Sequence, residues 1–396
     1  MNTPHYITKL DSVQNLTEKE IRELKPVCEK YAFRTNDYYL SLIDWNDPDD
    51  PIRRIVIPDR AELDMWGRLD ASNEKIYTKV PGLEHKYEHT ALLLVNDVCG
   101  SYCRFCFRKR LFMHISDEVV RDISEGLDYI RKHTELNNIL LTGGDPLLLS
   151  TAKLENIIRQ LREIDHVRII RIGSKIPAFN PYRILNDPSL LKMLEKYSTS
   201  DKKIYLMAHF NHPRELTEEA MVALHLILKA GVVTVNQTPI IRGVNDSPEV
   251  LAELFDTLSF IGVPPYYVFQ CRPTQGNKHL AVPLEQAFEI HEQAKMLGSG
   301  LSKRSRFVMS HTLGKIEVLG LADDFIIFKF HRSANPWDKS YTSVFKRNPE
   351  AYWYDEYEEV LLESSYKNPF MVPEMVTDDY LEDYTDKHPM LTLPFL

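Results

Sequence analysis

The chain has 396 residues, five cysteines and a formal charge of −9, long enough for one large domain or two ordinary ones and for a core that needs no disulfide scaffold. The acidic balance leaves no basic surplus to neutralise phosphates, which excludes nonspecific nucleic-acid binding and favours small-molecule chemistry. No apolar run reaches the length of a membrane span, the first residues lack the basic and apolar regions of a signal peptide, and sparse, uneven cysteines suit the reducing cytoplasm.

Residues 1–86 read as a mostly helical N-terminal region. Thr17 is placed to cap the helix-forming run that follows it, and Asn46-Asp-Pro-Asp-Asp-Pro-Ile-Arg-Arg-Ile-Val-Ile-Pro58 reads as a turn-rich connector whose prolines close off helix. The region carries no obvious chemistry and is expected to serve packing, assembly or lid formation. From residue 91 to 271, β-rich runs at 91–95, 138–141, 167–172, 203–208, 232–236 and 266–271 alternate with amphipathic stretches. In 116–133 the apolar Val119, Ile123, Leu127 and Ile130 step by three and four, the spacing of one helix face. The stretch 217–230 begins at a capping Thr217 and stops at Gly231. Six alternations imply a parallel sheet, and right-handed crossovers curl it into a barrel or a doubly wound layer. Residues 87–300 form this unit. In 301–396, short strands are expected at 306–309 and 325–330 with Gly314-Lys315 between them, followed by an acidic tail rich in Tyr and Pro.

The densest chemistry is Cys99-Gly-Ser-Tyr-Cys103-Arg-Phe-Cys106-Phe-Arg-Lys-Arg110, three of the five cysteines within eight residues. Soft thiolates this close select iron–sulfur, zinc or copper(I). A four-iron cubane held by three cysteines leaves one iron without a protein ligand, and that open corner invites a substrate or cofactor. A closed Cys3His zinc site with His114 as fourth ligand and three merely packed cysteines are the alternatives. Cys28 and Cys271 read as packed.

The run Cys-x-x-x-Cys-Arg-x-Cys-x-Arg-x-Arg resembles the lysine 2,3-aminomutase branch of the radical S-adenosylmethionine (SAM) superfamily, a resemblance that extends over about residues 15 to 330. It implies an α/β fold, a partial (β/α)6 radical SAM barrel with a helical N-terminal extension and an irregular C-terminal extension. Working residues in such barrels sit at the C-terminal ends of strands. The motifs fall there: the cysteine loop after the first barrel strand, Gly143-Gly-Asp-Pro146 after the second, Arg171-Ile-Gly-Ser-Lys175 at the third, His209-Phe-Asn-His-Pro213 after the fourth, the run from Asn236 to Asp246 after the fifth and Gln270-Cys-Arg-Pro273 after the sixth.

By the same resemblance Cys99, Cys103 and Cys106 hold a [4Fe–4S] cluster, and Phe105, Gly143, Gly144, Asp145, Ser174 and His209 bind SAM, with Arg183 and Asn211 on the same rim. Two glycines permit close backbone approach, and Asp145 can accept from an ammonium. Tyr87 and the catalytic Lys315 belong to a pyridoxal 5′-phosphate (PLP) site, Lys315 as the amine that forms an imine. Arg108 pairs with the substrate α-carboxylate, and Asp246 with the distal ammonium of lysine or a related cationic substrate; a helix cap before Pro248 is the other reading of Asp246. The chain departs from the family pattern at four places. Thr90 replaces an arginine used near the cofactor phosphate; Val308, or Met309 or Ser310 after a gap, replaces a second substrate-binding aspartate; one glycine remains of the turn before Lys315; and Arg272-Pro273 follows the sixth strand.

The implied activity is that of an isomerase moving an α-amino group to the β carbon through a 5′-deoxyadenosyl radical. A PLP-independent radical SAM enzyme and a non-catalytic iron–sulfur or zinc protein are the alternatives. The expected partners are an amino-acid substrate, an electron donor such as flavodoxin or ferredoxin, and further copies of the chain, with neither nucleic acid nor membrane.

Overall fold

Thr17 caps the helix Glu18–Lys30 as expected, its side chain and that of Glu20 satisfying each other's backbone amides. The stretch read as a connector is instead partly helical. Asp50 caps Pro51–Val56, because proline's fixed φ suits a first helical turn and its missing N–H costs nothing there. The computed structural model describes residues 3–113, 118–335 and 340–364; His114 and the acidic tail lie outside the described residues. In the N-terminal region β1 (Tyr6–Ile7) pairs with β2 (Thr35–Asn36). The region ends in β3 (Thr78–Val80) and β4 (Leu83–Tyr87), which join the main sheet, so it is not helical throughout.

The main sheet continues through seven parallel strands, β5 (Thr90–Asn96), β6 (Asn138–Gly143), β7 (Ile169–Ser174), β8 (Ile204–Ala208), β9 (Val233–Pro239), β10 (Pro265–Phe269) and β11 (Arg306–Ser310). The first six are the expected barrel strands, displaced by a few residues at most. Four antiparallel strands follow: β12 (Gly314–Ala322), β13 (Phe325–Ser333), β14 (Thr342–Lys346) and β15 (Val360–Ser364). Strand order runs from β3 to β15 without a pairing that closes the ring. Side chains bridge the gap instead. Tyr77 Oη donates to the Thr312 carbonyl over 2.8 Å and Lys86 Nζ to that of His311, bringing β3 and β4 beside the β11–β12 turn.

Helices Ser124–Lys132, Thr151–Arg162, Pro188–Tyr197, Glu218–Lys229, Pro248–Phe260 and Leu284–Leu297 cross between the parallel strands. The first starts at Ser124 rather than near 116. Glu118 is drawn into an ion pair with Arg110 at 2.7 Å, and the Val120 amide bonds the Leu94 carbonyl, tying that stretch to the sheet. Leu127 and Ile130 pack into the core shared with Leu93, Ile139 and Leu141, each burial contributing about 1.5–3 kcal/mol. A second core joins Leu24, Ile52, Ile55 and Val56 to Phe105, Phe179, Ile241 and Leu280. It fastens the N-terminal region over the barrel mouth.

Candidate functional site

The loop leaving β5 carries Cys99, Cys103 and Cys106, none of them in a disulfide. Among the described residues, the one trio of metal-binding side chains with ligand atoms all within 4.8 Å is His85, His133 and Glu135; the three thiol sulfurs are spread more widely. Thiolates sharing one tetrahedral zinc sit about 3.8 Å apart, given a Zn–S bond of about 2.3 Å. Three thiols on one loop are the donor set of a cluster whose sulfurs bind different irons. Burial pushes all three thiols up, so loading a metal centre expels protons.

The N-terminal region grips this loop by its backbone. Arg34 Nε donates to the Cys99 carbonyl at 2.9 Å, the Tyr102 amide to the Arg34 carbonyl at 2.9 Å, and the Arg104 amide to the Ile55 carbonyl at 2.8 Å. Asn36 Nδ2 bonds the carbonyls of Gly100 and Phe179. Arg104 points away from the sulfurs and forks onto Glu62 at 2.8 and 2.7 Å, both groups buried. The packing role expected of the region therefore has a target, which is the geometry of the cysteine loop.

The Gly143-Gly144-Asp145 turn after β6 docks on the residues just before Cys99. Gly143 has φ +106, and a Cβ there would stand 2.5 Å from the Asn96 carbonyl oxygen; one on Gly144 would stand 2.5 Å from the Val98 oxygen. The glycines thus let two βα loops meet backbone to backbone. The Gly144 and Asp145 amides donate to the Asn96 and Val98 carbonyls at 2.5 and 2.9 Å. Asp145 is buried and braces its own turn. Its carboxylate accepts from the amides of Leu147, Lys175 and Ile176 and from Ser174 Oγ at 2.8–3.1 Å. Burial raises its pKa to about 6 against the pull of these bonds. Asp145 and Ser174 are thus committed to each other. Arg183 is likewise a brace, donating to the carbonyls of Leu147 and Leu149 and to Asp187.

Phe105, between the second and third cysteines, stacks on His209 with centroids 5.8 Å apart and planes 13° from parallel. Among the described residues His209 Nε2 is buried without a partner, and burial, with Lys175 nearby, holds the ring well below its usual pKa. A neutral ring nitrogen left unsatisfied beside the cluster loop calls for a ligand that hydrogen-bonds there, which SAM can do. Asn211 is occupied, accepting from Lys175 Nζ and donating to Thr238 Oγ1.

Lys315 opens β12 and lies opposite Ser310 of β11 and Arg332 of β13. Its Nζ donates to Ser310 Oγ at 3.0 Å and sits 4.8 Å from the Phe269 ring centroid and 5.2 Å from that of Tyr267. Burial first, then Arg272, Arg332, Lys86 and Arg171, push its pKa well below the usual lysine value. A desolvated amine among cations is the form that attacks an aldehyde, and the positive surroundings suit an anionic cofactor. Tyr87 is buried with the Arg332 guanidinium 4.1 Å from its ring centroid, and Arg332 donates to Thr90 Oγ1 at 3.0 Å. The residues fit PLP.

Arg108 is more engaged than its expected role implies. Nε and one terminal nitrogen fork onto Glu74 at 2.7–3.1 Å, and the other terminal nitrogen donates to Thr142 Oγ1 at 2.8 Å. Of the five N–H groups of a guanidinium, two remain. Arg272 lies beside it, both guanidiniums being over the Phe107 ring at 5.0 and 3.6 Å. Arg272 donates to Ser72 Oγ and, among the described residues, has no acid within ion-pair distance. Asp246 accepts from the Gly243 amide of its own loop at 2.8 Å; Ser247, not Asp246, occupies the cap position before Pro248.

Sequence reasoning passed over Arg332, Lys86 and Glu74, and it named Arg171 only as the start of the motif at the third strand. For Arg332 a signal existed. Asp323-Asp324 is a two-residue turn, and counting outward from the Ala322–Phe325 pair puts Arg332 opposite Lys315, because the two irregularities in the hairpin cancel. For Glu74 there was none, since its partners lie 34 and 36 residues away.

The sequence pattern described as the radical SAM superfamily matches residues 93–255. A protein of Aquifex aeolicus (strain VF5) that carries the L-lysine 2,3-aminomutase name provisionally is 60% identical over 359 residues, covering 90% of this chain and 96% of its own. The L-lysine 2,3-aminomutase of Clostridium subterminale is 41% identical, covering 72% and 68%. The glutamate 2,3-aminomutase of Clostridioides difficile (strain 630) is 36% identical, covering 75% and 69%.

Proposed function

The chain belongs to the lysine 2,3-aminomutase family of radical SAM enzymes, and on that premise we propose that it moves the α-amino group of lysine, or of a close cationic relative, to the β carbon. Membership makes it an isomerase acting on an amino acid, with a [4Fe–4S] cluster, SAM and PLP as its cofactors. When bound, the cluster and SAM supply a carbon radical that takes hydrogen from an unactivated C–H bond, and PLP supplies the conjugated carbon through which nitrogen migrates.

In this reading Cys99, Cys103 and Cys106 hold the cluster. Phe105 and His209 hold SAM on the turn made by Gly143 and Gly144, while Asp145 and Ser174 keep that turn in place. Lys315 takes PLP. The observation that carries the reading is the depressed, half-buried amine of Lys315 among cations at the mouth that also bears the cysteine loop. Burial and the surrounding cations favour the neutral, nucleophilic form of the amine, and Ser310 Oγ stands within hydrogen-bond reach to exchange a proton with it. The rings of Tyr87, Tyr267 and Phe269 keep water away. The two remaining N–H groups of Arg108 and the guanidinium of Arg272, which has no acid within ion-pair distance among the described residues, receive the substrate carboxylate. Asp246, whose second oxygen is free of its loop bond, takes the distal ammonium.

A small electron-transfer protein such as flavodoxin or ferredoxin reduces the cluster, and the chain works in the cytoplasm as an assembly of its own copies. Phe260, Met296, Leu297 and Leu301, exposed near the ends of packed helices, support self-association. The test is anaerobic incubation of reconstituted protein with SAM, reductant, PLP and a panel of amino acids, followed by NMR. β-Lysine formed from lysine, and lost in Lys315→Ala, is the expected result. Cleavage of SAM with no β-amino acid from any member of the panel would refute it and favour the PLP-independent enzyme.

A further inference from the structure

Four cations surround Lys315, and they fall into two groups. Lys86 and Arg272 are neighbours of Glu74 and Glu84, which temper their charge. Arg171 and Arg332 have no such company. Arg171, on β7, donates through Nε to Asn138 Oδ1 at 2.8 Å, and Arg332, on β13, donates to Thr90 Oγ1 at 3.0 Å. Both acceptors are neutral, and among the described residues neither arginine has an acid within ion-pair distance. The charged or titratable groups whose fields act on Arg171 include Arg332 and the phenols of Tyr266, Tyr267 and Tyr87, and Arg171 acts in turn on Lys315.

Two half-buried guanidiniums whose charges act on each other repel, and each has given up part of its hydration. Such an arrangement costs several kcal/mol unless an anion joins it. A carboxylate on the protein would have satisfied them, and none of the described residues provides one within ion-pair distance. The missing partner therefore comes from outside, and a dianion with three acceptor oxygens matches two planar forks better than a single carboxylate does. The same chamber contains the amine assigned to the PLP aldehyde.

We propose that Arg332 and Arg171 together form the subsite that holds the phosphate of PLP, with Arg332 supplied by the strand that pairs with Lys315 itself. The proposal rests on the reading of Lys315 as the PLP amine. It gives a specific function to Thr90, which positions Arg332 by accepting its hydrogen bond. It also leaves Arg272, on the opposite group, for the substrate carboxylate.

The test compares PLP with pyridoxal, which has the aldehyde but no phosphate, on anaerobic, cluster-loaded protein. Adducts are trapped with borohydride and located by mass spectrometry, and affinities are read from the absorbance titration. In the wild type PLP is expected to bind far more tightly than pyridoxal, and inorganic phosphate to compete with PLP. In Arg332→Ala and Arg171→Gln the preference for PLP should fall about tenfold or more, the worth of a hydrogen bond to a charged group, with pyridoxal affinity nearly unchanged. A Thr90→Arg change added to Arg332→Ala should restore part of the preference, because its guanidinium reaches the same space; this also shows that the single variant was folded. A wild type that traps nothing at Lys315 overturns the reading of that lysine and the subsite with it. A wild type that traps PLP there, with a phosphate preference that survives in both arginine variants, overturns the subsite alone. Variants that keep this preference but raise the KM for the amino acid assign the pair to the substrate carboxylate, which also overturns it.

Discussion

Replacing Gly144 with alanine should weaken the hold on the cluster while leaving the barrel folded. The added Cβ would stand 2.5 Å from the Val98 oxygen and 2.6 Å from its nitrogen, nearly an ångström short of the 3.4 Å at which ordinary contact begins. Neither atom is the tip of a flexible side chain. Both belong to the backbone one residue before Cys99, where the Val98 carbonyl already accepts the Asp145 amide and Asn96 Nδ2 at 2.9 Å. Relief requires the two loops to part, which moves Cys99. Overpacking of this kind costs about 1–3 kcal/mol, and the strain falls on the cysteine triangle, so affinity for the cluster should drop by roughly one to two powers of ten. The assay is iron and sulfide per chain when reconstituted protein is challenged with a graded chelator, with the reduced-cluster electron paramagnetic resonance signal recorded with and without SAM. Gly320→Ala is the control, since nothing lies within 4 Å of a Cβ there. If Gly144→Ala kept its iron to the same chelator concentration as wild type and gave the same SAM-dependent signal, the claim that backbone contact between these loops sets the cluster geometry would be wrong.

Glu62→Gln leaves Arg104 charged in a buried site and should cost about 3–5 kcal/mol, seen as a lower unfolding midpoint. The double change Glu62→Leu with Arg104→Met should recover most of that loss, and a double variant as unstable as the single would refute the account. Asp145 binds its proton more tightly folded than unfolded, with a pKa near 6 against an ordinary 3.8. Its contribution to stability is therefore greatest at low pH and declines as pH rises from about 4 to 6, by on the order of 3 kcal/mol. Glu74, held down to about 2 by Arg108 and Arg110, works in the opposite direction, so the quantity to measure is the difference between wild type and Asp145→Asn across that window. No pH dependence in the difference would count against the burial argument. Asp246→Asn keeps an oxygen for the Gly243 amide and removes the charge, and should raise the KM for lysine about tenfold or more with little change in unfolding midpoint. An unchanged KM would remove Asp246 from the substrate site.

Much of the site was legible because its parts are local in sequence. The three cysteines fall within eight residues, so their joint role needs no tertiary information, and the Gly143-Gly144 turn follows a strand wherever the strand lies. The six barrel strands were readable from short apolar runs because burial on both faces leaves a continuous signal. Errors arose where a local rule met a distant partner. The stretch before Ser124 has helical spacing, yet from Glu118 on it is turn and bend, with Glu118 paired to Arg110 and the Val120 amide bonded to the Leu94 carbonyl. The prolines of 46–58 were read as breakers because nothing local distinguishes a proline that ends a helix from one that starts it.

By itself, the sequence determined which chemistry is present: sulfur at cluster spacing, a glycine turn one βα unit on, and a lysine beyond the barrel. The side chains that act on these groups were decided by how the folded sheet and the N-terminal region pack together. Arg108 has part of its fork taken by Glu74, Arg332 on β13 lies opposite Lys315 on β12, and the N-terminal region rests on the cysteine loop. These contacts join residues that are not neighbours in the chain. Electrostatic environment depends on the distances between charges and on the exclusion of water. Both are properties of the folded chain, and neither is encoded at any single position.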